Sequence, residues 1–378
     1  MMTKRTFAAS LFLVISASVA QATTYTITDL GTLGGAINYG VGINENGQIV
    51  GASTTSTEGF DLDAYLVEDV PDDGSIPALK NLNVSTGNIS AAVDINEGGW
   101  VVGYTFGVPE TGFVWKDGES VSFLEGLPEN SDGRTSAGGI NNRNQIVGYA
   151  HDQDGRQQAV LWETGSAPKA LGTLGGKTSE ANAINDSGQV VGKAGTINNS
   201  GNRAFLWQEG TGMQDLGALD GGQRSAASDI NNRGQVVGIS DTDGPERAFL
   251  WQEETGMQDL GALAEGRSSE ASGINDWGAV VGTATDSEGQ GRAFLWNGRK
   301  MRDLNSKIDP NSDWLLTWAH DINNSGQILA SGLLGSDDSQ RAVLLTPVAP
   351  VPLPAVVWLM LSGLASLGWL KHRRAAAC

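Results

Sequence analysis

The sequence predicts an all-β fold, a seven-bladed β-propeller of four-stranded blades, closed by an N-terminal strand that completes the last blade. Three observations predict it. One segment, Ile-Asn-x-x-Gly-Gln-Val-Val-Gly in its clearest form, recurs seven times. Its copies start 44 to 52 residues apart, which is room for four short strands and their turns. The series also has one spare strand at its start and lacks one at its end.

The copies begin at Ile43, Ile95, Ile140, Ile184, Ile230, Ile274 and Ile322, the last being the weaker INNSGQILA. A second apolar run follows each: DAYLV from Asp63, GFVW from Gly112, QAVLW from Gln158, RAFLW from Arg203, Arg247 and Arg292, and RAVLL from Arg341. A third element is clearest as MQDLGAL from Met213 and Met257. In one clear copy the strands fall at 179–184, 189–193, 203–208 and 213–218. Asn185-Asp186-Ser187-Gly188 turns the first pair. A glycine closing such a turn takes a left-handed conformation without steric cost. Gly47, Gly234, Gly278 and Gly326 hold the same place, and Asn144 substitutes in one copy, as asparagine can.

The third strand, Ala204-Phe205-Leu206-Trp207, is apolar on both faces. A strand covered on both sides, as in a blade between two neighbours, reads this way. Trp115, Trp162, Trp207, Trp251 and Trp296 occupy equivalent positions and read as structural, blade-to-blade packing residues. The mature start, TYTITDLGTLGG, matches a fourth strand, whereas the last repeat has none before Pro347. Pairing the two ends closes the ring and removes exposed edges. A linear array would need capping units instead.

This order of segments resembles the HAF-repeat family of extracellular proteins. The match lies in the Asp-Leu-Gly, Ile-Asn-x-x-Gly-Gln-Val-Val-Gly and Ala-Phe-Leu-Trp segments, from Tyr25 to about Thr346. The resemblance implies export and no defined molecular function.

The two ends read as addresses. Residues 1–22 have Lys4 and Arg5, a short apolar run from Phe7 to Ala20, and Ala20-Gln21-Ala22 as a small-x-small cleavage pattern, which together make a signal peptide. The propeller occupies 23–346, and a Pro-rich linker and motif occupies 347–354. An apolar helix fills 355–370, followed by a basic tail at 371–378. With the preceding valines and prolines the helix approaches bilayer length. Lys371, Arg373 and Arg374 act as a membrane stop that stays cytoplasmic and leaves the body outside. A plain tail anchor has the same appearance. Val351-Pro352-Leu353-Pro354-Ala355, the apolar helix and Arg373-Arg374 together resemble the VPLPA form of the PEP-CTERM sorting signal of Gram-negative bacteria. That resemblance implies an exosortase as partner during maturation and only a transient stay in the inner membrane. It also implies a cell-surface or extracellular destination and association with extracellular polysaccharide.

Composition bounds the partners. The net charge is −19. Setting the two basic ends aside leaves 19 basic against 43 acidic side chains, a net of −24. Such a body excludes nucleic acid, whose binding needs clustered Lys and Arg. The single cysteine, Cys378, precludes an intrachain disulfide, and a fold of this size does not need one.

Candidate chemistry is sparse. Upstream of the basic tail the histidines are His151 and His320, both read as surface residues. A Ser-His-Asp arrangement at His320 and Asp321 stays conceivable. No cysteine nucleophile, His-x-x-x-His pair or phosphate-binding loop is present. The loops joining second to third strands and those joining repeats should share one face. That face would carry Asp152, Asp154, Asp241, Asp243, Asp286, Glu288, Asp337 and Asp338, with Gly34-Gly35, Gly175-Gly176 and Gly221-Gly222 as turn residues. Its carboxylates make Ca²⁺ the one candidate cofactor.

The expected function is a non-catalytic surface or matrix module that binds a glycan or an envelope protein. A secreted carbohydrate-active hydrolase or lyase using paired carboxylates stays open, as does a Ca²⁺-stabilised adhesin. An enzyme should gather unique polar residues at one channel mouth. A structural module should show only repeated turn residues there.

Overall fold

Each repeat turns where the sequence places its glycine. In the first, Gly47 N–H donates to the Asn44 carbonyl (3.0 Å) and Asn44 N–H to the Gln48 carbonyl (3.1 Å). Gly47 sits at φ 78°, where a side chain would be strained. The same two bonds recur in all seven copies, with Asn144 at φ 56° in the third. Beyond the turn the strands alternate or run apolar and pair antiparallel. The result is seven four-stranded sheets in a computed structural model that describes residues 24–348 apart from 57–60, 85–88, 108, 129–131, 198–200 and 336.

The chain divides into a unit spanning Tyr25–Pro347 and a second made of Met1–Thr24 with Val348–Cys378. Of the second only Thr24 and Val348 are described, with Val348 N–H donating to the Thr24 carbonyl. The segments read from sequence as signal peptide, sorting motif, apolar helix and basic tail therefore lie outside the described residues. Among the described residues, no helix is long and apolar enough to cross a membrane.

The ring closes as expected. Tyr25–Asp29 pairs antiparallel with Asp337–Pro347, from Tyr25 opposite Pro347 to Asp29 opposite Val343. It completes the blade made by Trp314–Ile322, Ile328–Leu334 and Asp337–Pro347. An Arg341–Asp29 ion pair at 3.0 Å ties the seam.

In the clear fourth copy the strands are Gly175–Ile184, Val190–Thr196, Asn202–Gln208 and Gly212–Asp215. The first starts earlier than expected because Gly175 pairs with Thr196. The last ends earlier because the Asp215 carboxylate accepts the Gly217 N–H at 2.8 Å. That side-chain bond turns the chain out of the ladder.

The core lies between blades. Seven hydrophobic clusters each join residues of two neighbouring blades. Phe113, Phe205, Phe249 and Phe294 are fully buried at the same place in their blades, each contributing roughly 1.5–3 kcal/mol. Trp115, Trp162, Trp207 and Trp251 are buried in these clusters, and Trp296 packs half-buried against its own. Lys80 and Lys169 lie over the Trp115 and Trp207 rings.

Each blade's innermost strand carries a β-bulge. Val41, Val93, Gly138, Asn182, Ser228, Ser272 and His320 are the unpaired extra residues. The bulge turns a carbonyl onto the facing strand, where the glycine of Val-Val-Gly stands. A Cβ on Gly192 would lie 2.0 Å from the Glu180 carbonyl oxygen, and Gly51, Gly103, Gly148, Gly238 and Gly282 face the same obstruction. The seventh repeat has Ala330 there, fully buried. Its innermost strand shifts register twice, at Leu316/Trp318 as well as at Ala319/Asp321.

Candidate functional site

At the ends of the innermost strands, the seven turns form one mouth of the central channel, a cavity of about 180 Å³. Two closed hydrogen-bond rings build it. In the first, Asn44 Nδ2 donates to the Asn96 carbonyl, and Asn96, Asn141, Asn185, Asn231 and Asn275 repeat the bond to the next blade. Asn323 returns it to Asn44, and every distance is 2.9–3.1 Å. Each Asn Oδ1 also accepts the backbone N–H four residues on. These buried amides are thus committed on both sides, which buried polar groups require.

In the second ring each backbone N–H after the asparagine donates to the side chain at the same place in the next blade. The order Glu45, Glu97, Asn142, Asp186, Asn232, Asp276, Asn324 and back to Glu45 closes at 2.8–2.9 Å. Asn142 and Asn324 each donate an amide to the neighbouring aspartate at 3.0 Å. Only Glu45 and Glu97 stand as adjacent acids. Burial raises the Glu45 carboxyl, and Glu97 and Asp276 push the same way. The signal for both rings was the Asn after every Ile; its meaning needs the neighbouring blade.

Upstream of the turns the channel widens to a cavity of about 320 Å³. Here the bulges re-aim side chains, and the repeats differ from one another. Asp94, Asp229 and Asp321 each accept two backbone N–H groups, one from the following Ile of their own strand and one from the next blade. The second donors are Ile140, Ile274 and Ile43, at 2.8–3.0 Å. The three carboxylates are blade-to-blade latches. The next blade has a glycine at the matching place each time, Gly139, Gly273 and Gly42. Burial raises all three acids, Asp94 to about 7, and mutual repulsion adds to the shift of Asp94 and Asp229.

Both histidines are less exposed than the sequence suggests. His151 is 8% exposed and its Nδ1 lies 2.8 Å from Asp132 Oδ2. His320 lines the channel, stacked parallel on Trp318 with ring centroids 5.9 Å apart. Burial lowers its pKa to about 4, so it is neutral at pH 7. Its Nε2 lies 2.7 Å from Ser331 Oγ, but Ser331 is fully buried and out of a substrate's reach. Asp321 is taken up by Ile322 and Ile43. The serine that His320 contacts is therefore not an accessible nucleophile.

The channel groups give a pH prediction. A buried acid with a raised folded pKa holds its proton more tightly folded than unfolded. Its contribution is fully present below the unfolded pKa near 3.8 and is lost as pH rises through the folded value. Asp94, Asp229 and Asp321 should thus make the propeller more stable at pH 5.5 than at 7.5. His320 acts oppositely, and only below its unfolded pKa near 6.5. A melting temperature higher by ~2 °C or more at pH 5.5 is expected, with Asp94→Asn flattening the slope. An Asp94→Asn profile as steep as the parent's would refute the assignment.

On the opposite face lie the loops and carboxylates chosen from sequence. The structure brings the loops to one side but ties Asp152 and Asp286 to their own turns and Asp241 to the neighbouring inter-repeat loop. Asp152 accepts the N–H of Asp154 and Arg156, and Asp154 pairs with Arg156 at 2.7 Å. Asp241 accepts the N–H of Gln223 and Arg224. Asp286 accepts those of Glu288 and Gln290 and pairs with Arg292 at 3.0 Å. A Cβ on Gly221 would strike the Asp243 carboxylate, and one on Gly222 the Asp241 carbonyl oxygen at 2.2 Å. These glycines let the two loop types touch. Among the described residues no three His, Cys, Asp or Glu side chains are grouped to hold a metal ion.

A family model described as Protein of unknown function (DUF3466) matches residues 177–340. No curated protein matches the chain. Several solved propellers share the fold. Oligogalacturonate lyase from Vibrio parahaemolyticus is 10% identical with a TM-score of 0.54, over 85% of this chain and 97% of that one. YCF48 bound to D1 peptide is 12% identical with a TM-score of 0.50, over 86% and 96%. TolB from Acinetobacter baumannii is 11% identical with a TM-score of 0.44, over 80% of this chain, which spans 63% of that structure. At these identities the likeness is one of fold.

Proposed function

We propose that this chain is an exported, non-catalytic binding and structural module of the cell surface or extracellular matrix. In this reading a signal peptide exports the propeller. The VPLPA motif and C-terminal helix then pass it from the inner membrane to an exosortase, and its ligand is an extracellular polysaccharide or an envelope protein. The observation that carries the non-catalytic part is the commitment of the channel acids. Asp94, Asp229 and Asp321 spend both carboxylate oxygens on backbone N–H groups of two blades. Held this way the three carboxylates serve as ties between neighbouring blades, the structural use that a binding module makes of a buried acid.

A second reading, a carbohydrate-active hydrolase or lyase, is favoured by one fact. Trp318, His320 and Asn182 are unique among the repeats and meet in the channel, the asymmetry expected of an enzyme. One experiment separates the two. The propeller, residues 24–348, is applied to a glycan array and to immobilised envelope fractions, with and without Ca²⁺, and incubated with the same glycans. Binding without release of new reducing ends or unsaturated products is expected. Product formation abolished by His320→Ala would replace the module with the enzyme. A melting temperature that falls in chelator would point to the Ca²⁺-stabilised form.

A further inference from the structure

In a repeat protein, the informative residues are those that leave the repeat and expose apolar surface, because nothing in the shared fold requires them. Two such departures meet between blades two and three. The position after the turn is glutamine in Gln48, Gln145, Gln189, Gln235 and Gln327 and alanine in Ala279, but it is Trp100 in blade two. The outer-strand residue facing the buried third-strand aromatic is Asn81, Asp215, Asp259 or Asp303 in four other blades. In blade two it is Phe123, opposite Phe113 and 52% exposed.

Both line one cleft of about 380 Å³ with Trp162, and its rim carries Glu125, Glu163 and Ser166. The cleft is held open by its own contacts. Trp162 Nε1 donates to the Glu125 carbonyl at 2.8 Å, and the Lys116 ammonium lies 4.8 Å from the Trp100 ring centre. The matching cleft between blades four and five, with Gln189 in place of the tryptophan, is about 200 Å³ and mostly polar-lined. No other repeat pairs a tryptophan after the turn with an aromatic residue at that outer-strand position.

We propose that this cleft is a binding site for an uncharged glycan chain; the proposal rests on the binding-module reading above and names its site and ligand class. Aromatic rings present an electron-rich face that suits the C–H face of a sugar ring. Carboxylates and hydroxyls at the rim accept and exchange hydrogen bonds with sugar hydroxyls. A few polar groups around an apolar floor is the usual make-up of a small-ligand site. Charge selects the class. Glu125 and Glu163 at the rim, on a body of net −24, repel uronate, sulfate and phosphate polymers.

The test is affinity gel electrophoresis of the propeller in gels containing dextran, galactomannan or xyloglucan, and separately alginate or polygalacturonate. Trp100→Gln and Phe123→Asp are the variants. Each installs the residue other blades carry, so both should fold with an unchanged melting temperature. Retardation by at least one uncharged polymer is expected, weakened about tenfold or more in each variant. Quenching of tryptophan fluorescence by the matching oligosaccharide should fall in parallel. Retardation that persists in both variants would place the site elsewhere and leave the binding reading standing. Retardation only by alginate or polygalacturonate would overturn the ligand class. No retardation by any polymer would overturn the cleft proposal, and the array and envelope fractions would then decide the wider reading.

Discussion

Gly192→Ala is expected to destabilise the propeller by about 3 kcal/mol or more, at the upper end of what one added methyl costs in a packed strand. The new Cβ would meet the Glu180 carbonyl oxygen at 2.0 Å and the Ala181 Cα at 2.9 Å. Both are backbone atoms of a bulged strand and cannot rotate away. Relief requires the innermost strand of blade four to move, and that strand is locked to blade five by Asn185. The seventh blade supplies the control. Ala330→Gly removes a methyl that its blade already accommodates fully buried, and should cost only about 1 kcal/mol. Thermal or urea unfolding of both variants measures the asymmetry. Equal small losses would mean that the bulge does not dictate glycine.

The second large effect is expected from Asn185→Asp. The side chain is buried, and its Nδ2 donates to the Asn231 carbonyl at 3.0 Å while Oδ1 accepts from Gln189 and Ser187. The substitution keeps the acceptor and replaces the donor by a second oxygen. At pH 7.5 this sets a buried carboxylate against a carbonyl, at a cost of about 3–5 kcal/mol. The loss should shrink as pH falls, because a protonated carboxyl can donate to that carbonyl. In linkage terms the folded pKa of the new acid is raised, so stability returns on the acid side of it. A melting temperature equally depressed at pH 5 and pH 7.5 would count against the ring as drawn. Asn185→Ala separates the lost hydrogen bond from the added charge.

Much of this architecture was readable before any coordinates. The seven Ile-Asn segments located the blades, and turn glycines such as Gly188 and Gly234 took the left-handed conformation expected. The repeated tryptophans packed between blades, and the spare strand at Tyr25 completed the seventh sheet. The functional candidates fared differently. Asp152 and Asp286 are satisfied by their own loops and Asp241 by the adjoining inter-repeat loop. His320 was read as a surface residue and lies in the channel. Of the three latch aspartates the sequence marks only Asp321, as the neighbour of His320, and it does not mark the blade-two cleft. Asp94 is preceded by Val and Asp229 by Ser, so the latch has no fixed local context.

What the sequence alone determined was the number of blades, the order of strands within each and the means of closure. These are properties of a single repeat and of its count, and one pattern read along the chain suffices. Only the tertiary structure decided which groups face one another across blades. The Asn rings, the Asp latches and the meeting of Trp100, Phe123 and Trp162 each join residues tens of positions apart. Repetition makes the common scaffold legible because every copy votes for it. A site is made where copies disagree, and the chain does not say which disagreements meet until the ring has closed around them.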